Sequence, residues 1–73
     1  MQPPEMRQLW VNGEPLHSSA ADLPALLRQR GLDPQARGYV CAVNGAFVPR
    51  HSWPQQQLRD GDRVDIVAPV VGG

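Results

Sequence analysis

Apolar and polar positions alternate near both ends of the chain and switch to a helical rhythm only once, between them. In Arg7-Gln8-Leu9-Trp10-Val11 the alternation is imperfect. Leu9 and Val11 share one face of a strand and Trp10 points to the other, so both faces carry apolar matter. Asn12-Gly13 follows, a pair that tolerates positive φ at both positions and predicts a hairpin with a returning strand over Glu14 to His17. Leu23, Leu26, Leu27 and Arg30 then fall at i, i+3, i+4 and i+7. That stripe predicts a helix of roughly three turns, with Arg30 lending its aliphatic stem. Gly31 closes it. Its start lies between Ser19 and Asp22: Ser19 to Asp22 has the spacing of a capping box, whereas an Asp22 cap places Pro24 inside the first turn, where proline is tolerated.

Tyr39-Val40-Cys41-Ala42-Val43 is an unbroken apolar run, which predicts a central strand covered on both sides. A second Asn-Gly turn, Asn44-Gly45, leads into a partner strand, Ala46-Phe47-Val48. The polar stretch from Arg50 to Gln57 is predicted as loop or a short helical turn pinned by Trp53, with Leu58 entering the core after it. Asp60-Gly61-Asp62 makes a third turn, its acids read as turn-formers. Arg63 to Val67 alternates cleanly and puts Val64 and Ile66 on one face. With one helix available, the leucine stripe must pack on a sheet. Two strands, a helix, two strands, a loop and a final strand predict an α+β domain of the β-grasp type over residues 6–67. Residues 1–5, with two prolines, are expected to be a disordered lead-in. Pro69 ends the last strand and leaves 68–73 as a flexible tail.

Composition narrows the chemistry. Seventy-three residues make one small domain, and seven basic against seven acidic residues leave no net charge to favour nucleic acid or an anionic membrane. The single cysteine, Cys41, excludes an internal disulfide framework and a zinc site built on cysteines; in its apolar run it is read as an inert core residue rather than a persulfide-bearing thiol. His17 and His51 lack metal-ligand spacing and are read as surface or turn residues. No apolar run approaches the roughly 20 residues of a membrane span, and the N-terminus lacks the parts of a signal peptide. A soluble cytoplasmic monomer is expected. Two side chains are candidate docking residues. Trp10 either anchors a partner on the open side of the sheet or packs under the loop around Trp53. Arg50 either bonds nearby backbone carbonyls or meets an acidic residue of a partner.

The sequence stops on Gly72-Gly73, which carries the terminal carboxylate on a backbone with no Cβ to obstruct a narrow cleft. Taken together, Ala42-Val43-Asn44-Gly45, Pro49-Arg50-x-x-Trp53, Leu58-Arg59-Asp60-Gly61-Asp62-Arg63-Val64 and Gly72-Gly73 resemble the sulfur carrier (ThiS) family of thiamin biosynthesis, from about Leu9 to Gly73. The resemblance implies a ubiquitin-like β-grasp fold with a mixed five-stranded sheet. It implies that Gly73 is adenylated and converted to a thiocarboxylate, with Gly72, Val71 and Val70 gripped as the tail lies extended in a groove. The chain itself has no catalytic residue, no metal and no bound cofactor in this reading, and no Gly-rich ATP loop is present. ATP is used by a partner, an adenylating enzyme related to ubiquitin activators. A cysteine desulfurase or another persulfide donor supplies sulfur, and thiazole synthase consumes it. The alternative is the sulfur-carrying small subunit of molybdopterin synthase, which shares the Gly-Gly ending, or a carrier for another sulfur pathway. A ubiquitin-like modifier joined to target lysines is the alternative of another class.

Overall fold

The computed structural model of the chain describes residues 6–68, and the predicted order of elements is present. Strands β1 (Arg7–Val11) and β2 (Glu14–Ser18) form an antiparallel hairpin that opposes Leu9 to Leu16. At its turn Asn12 and Gly13 have φ of 51° and 83°, the positive values that a two-residue hairpin of this hand requires.

Helix α1 spans Leu23–Gln29 and is shorter than the predicted three turns. Asp22 is its N-cap, with Oδ1 accepting the Ala25 N–H at 2.9 Å. Of the two starts the sequence allows, only this one puts Pro24 where its missing N–H costs no helical bond. At the other end Gly31, at φ 79°, lets the Leu32 N–H reach the Leu27 carbonyl at 2.9 Å and the Gly31 N–H reach that of Arg28 at 3.0 Å. These two bonds are a Schellman motif. Arg30 is therefore the C-cap and is exposed, so its stem does not extend the apolar stripe. Leu32 turns back against the core in its place.

Strands β3 (Val40–Val43) and β4 (Ala46–Val48) form the second hairpin, and β5 (Arg63–Val67) completes a five-stranded sheet in the order β2-β1-β5-β3-β4. β5 runs parallel to β1 and antiparallel to β3. The expectation that β3 is covered on both sides is not met: Cys41 and Val43 are buried, but Val40 is exposed and Ala42 half-buried. One helix can cover only one face of a sheet, and the apolar run spans a covered and an open face.

On the covered face, Leu9, Val11, Cys41, Val43 and Val64 meet Leu23, Leu26 and Leu27 of the helix. Each fully buried leucine stabilises the fold by about 2 kcal/mol. Between β4 and β5 lies a 3-10 helix, Arg50–Gln55, in which Trp53 is buried and donates its Nε1–H to the Val48 carbonyl at 2.9 Å. Two backbone bonds tie the following segment to the start of α1, Leu23 N–H to Gln56 C=O and Leu58 N–H to Ala21 C=O, each 3.0 Å. They place Leu58 in the core as predicted. Among the described residues no helix is long and apolar enough to cross a membrane. The lead-in, residues 1–5, and the tail beyond Ala68 lie outside the described residues.

Candidate functional site

β5 ends at Val67, one residue before the last described position. It is bonded on both sides, and its neighbours hold it with side chains as well as backbone. Asn12, at the β1–β2 turn, accepts the Ile66 N–H on Oδ1 at 2.7 Å while its own N–H reaches the Val64 carbonyl at 2.9 Å. Asn44, at the β3–β4 turn, accepts the Arg63 N–H on Oδ1 at 3.0 Å and donates its amide to Asp62 Oδ1 at the same distance. Asp62 accepts the Arg59 N–H at 2.8 Å and closes the turn as predicted, whereas Asp60 accepts the Gln8 N–H at 2.7 Å and straps the turn to β1. The last strand is thus fixed along its length, while Val67 itself is 53 % exposed and pairs with Val40, 41 % exposed. Whatever follows Ala68 starts from the end of a central strand held on both sides.

The face opposite α1 carries Trp10, Val40, Ala42, Phe47, Arg63, Asp65 and Val67, by alternation from the buried positions of their strands. Phe47, directly opposite Ala42, is 64 % exposed. Trp10 is half-buried and shares a depression of about 330 Å³ with Gly13, Arg63 and Asp65. The reading in which Trp10 packs with Trp53 is overturned, because Trp53 belongs to the core under the helix, on the other side of the sheet. Trp53 pairs instead with Tyr39, ring centroids 5.4 Å apart.

Arg50 bonds the backbone: its guanidinium donates to the carbonyls of Pro34 at 2.8 Å and Tyr39 at 3.2 Å. It also lies 4.3 Å from the Trp53 ring centroid and 5.3 Å from that of Tyr39. A planar cation stacked on aromatic faces and forked onto two carbonyls is a clamp for the loop between α1 and β3, a geometry that lysine does not reproduce.

These features can be set beside known proteins. The sequence profile of the ThiS family matches residues 8–73. The chain belongs to the ThiS family. Over 65 residues it is 32 % identical to the sulfur carrier protein ThiS of Thermus thermophilus, covering 89 % of this chain and 98 % of that protein. It is 37 % identical over 67 residues, or 90 % of its length, to a thiazole synthase of Paramagnetospirillum magneticum, of which the match spans only 20 %. The crystal structure of the thiamine biosynthesis protein ThiS from Geobacter metallireducens superposes with a TM-score of 0.75 at 28 % identity, over 90 % of this chain and 99 % of that one. The fold is the ubiquitin-like β-grasp of that family.

For a ThiS-family member the remaining side chains are informative by position. Cys41 is 1 % exposed, and burial pushes its thiol up to about 11, with the Arg50 charge pulling the other way more weakly. A thiol held protonated in a core is a poor nucleophile. The Tyr39 hydroxyl is also raised, first by burial and then by Cys41, and it donates to the Asp33 carbonyl at 2.7 Å. His17 and His51 are exposed on separate elements, and no cluster of metal-ligating side chains occurs among the described residues. Gly72, Gly73, Val70 and Val71 lie outside the described residues. Sequence reasoning missed the straps from Asn12 and Asn44. At Asn44 the signal was the use of Asn rather than Asp, since only an amide supplies both the acceptor and the donor it uses; Asn12 uses its Oδ1 alone, and no such signal marked it.

Proposed function

We propose that this chain carries sulfur for the thiazole ring of thiamin on its own terminal carboxylate, at Gly73. The observation that carries the reading is the family match, which runs through residue 73 and so includes Gly72-Gly73 with the folded body. A carboxylate is a poor acyl donor. Its oxygen first attacks the α-phosphorus of ATP on an adenylating enzyme, giving an acyl-adenylate and pyrophosphate. The terminal sulfur of a persulfide on a donor such as a cysteine desulfurase then displaces AMP to give an acyl disulfide, and a second thiol attacks the donor's sulfur, releasing the thiocarboxylate and leaving a disulfide behind. The chain supplies the reacting group and no catalytic residue.

The folded body acts as a handle. β5 delivers the tail from the fixed end of the central strand, the two glycines let the end pass a narrow cleft, and Val70 and Val71 offer side chains to a groove. Trp10, beside Arg63 and Asp65 on the open face, is the anchor a partner buries. A relative that is itself named a thiazole synthase and includes a segment like this chain favours thiazole formation over molybdopterin as the destination. The free protein is a cytoplasmic monomer in this account. Complementation tests the destination: in a strain that lacks the carrier and requires thiazole, the wild-type chain restores growth and a chain lacking Gly73 does not. Growth with the truncated chain would overturn the proposal.

A further inference from the structure

A depression of about 350 Å³ opens between α1, the loop that follows it and the 3-10 helix, on the side of the molecule away from Trp10. Its wall holds Arg28, Arg37 and Arg50, one from each element, and Pro24, Pro34 and Pro54 stiffen the rim. No acidic residue lines it. The nearest in sequence, Asp33, has Oδ1 engaged by the Gln35 N–H at 2.8 Å. Arg50 uses two of its five N–H donors on backbone carbonyls, so its position is set before any partner arrives. Arg28 and Arg37 are exposed and their side chains have no partner among the described residues. In a molecule with no net charge, three guanidinium groups around one depression create a local positive field.

Its location adds the second half of the argument. The Tyr39 carbonyl that receives Arg50 belongs to the residue before Val40, and Val40 pairs with Val67 at the end of β5. Arg50 therefore stands near the root of the tail, and Arg28 and Arg37 share its depression.

We propose that this depression docks an acidic surface of the adenylating enzyme and so holds the body next to the point where the tail departs; the inference rests on the carrier reading above. Guanidinium forks match carboxylates, and a depression of about 350 Å³ has room for more than one Asp or Glu side chain. Charges at such a rim act mainly on encounter.

The test is ATP–pyrophosphate exchange by the purified adenylating enzyme of the same organism, with the full chain as substrate and salt varied. The double variant Arg28→Glu/Arg37→Glu, with Arg50 left in place, is expected to raise KM for the carrier about tenfold with kcat unchanged and to flatten the salt dependence. Arg28→Lys/Arg37→Lys should keep most of the wild-type KM. A Glu-rich peptide should compete with the enzyme, and inorganic phosphate at equal ionic strength should not. An unchanged KM in a double variant with a wild-type melting curve overturns the proposal, as does equal competition by phosphate. No exchange with the wild-type chain would instead remove the carrier reading, and this inference with it.

Discussion

Arg50 is a cation whose task inside the molecule can be separated from its task outside it. Two carbonyl bonds and two aromatic contacts make it part of the fold. Arg50→Ala should lower stability by about 2 kcal/mol in urea unfolding, and Arg50→Lys should recover less than half of that. The sequence left its role open between backbone and partner, because the carbonyls it meets lie 11 and 16 positions away and only the folded loop brings them near. Cys41 was legible, since an apolar run around a lone thiol implies burial. Its raised value sets a pH dependence. In the folded state the thiol keeps its proton up to about 11, whereas in the unfolded chain it ionises near its ordinary 9.0. Between those values the unfolded state releases a proton that the folded state holds. Stability is therefore full below pH 9.0 and falls toward pH 11. Thermal melts across that window should show the fall, and Cys41→Ala should make it shallower without abolishing it, because Tyr39 is raised as well.

At the scale of elements, most of the secondary structure was readable because three turns with their own chemistry punctuate the strands, two between hairpin strands and one leading into β5. Asn-Gly appears twice and Asp-Gly once, and all three glycines take positive φ. Only the topology shows that the Asn side chains reach across to β5, at separations of 19 and 54 positions along the chain. Asn12→Gly keeps the turn conformation and deletes the strap. It is expected to cost about 1 kcal/mol and to speed hydrogen exchange at Ile66 before other amides of β5. The helix start was ambiguous in sequence, since Ser19 and Asp22 both have capping chemistry; Pro24 and the bonds to Gln56 and Leu58 select Asp22. Asp22→Ala should remove about 1 kcal/mol of stability, with the loss of helical circular dichroism confined to a fraction of the signal.

For the whole molecule, the element order and the terminal glycines together made the fold legible, while the surface was less so. An apolar run in β3 suggested two covered faces, but one helix leaves Val40, Phe47 and Val67 open beside Trp10. That open face, with its aromatic anchor, is the natural seat for a large partner. Trp10→Ala should leave the far-ultraviolet spectrum and melting curve nearly unchanged and weaken thiazole formation by thiazole synthase about tenfold, with ATP–pyrophosphate exchange unaffected. The arginine depression was invisible in sequence because its three cations come from three elements spread over 23 positions, Arg28 to Arg50. The central claim is that the end of the chain, and not its body, is the reacting group. Intact mass of the carrier after incubation with the adenylating enzyme, ATP and a sulfur source tests it most directly. The account predicts that one carboxyl oxygen of Gly73 is replaced by sulfur and that deletion of Gly73 abolishes the change. An unchanged mass, or a product joined through an amide to lysines of other proteins, would contradict it.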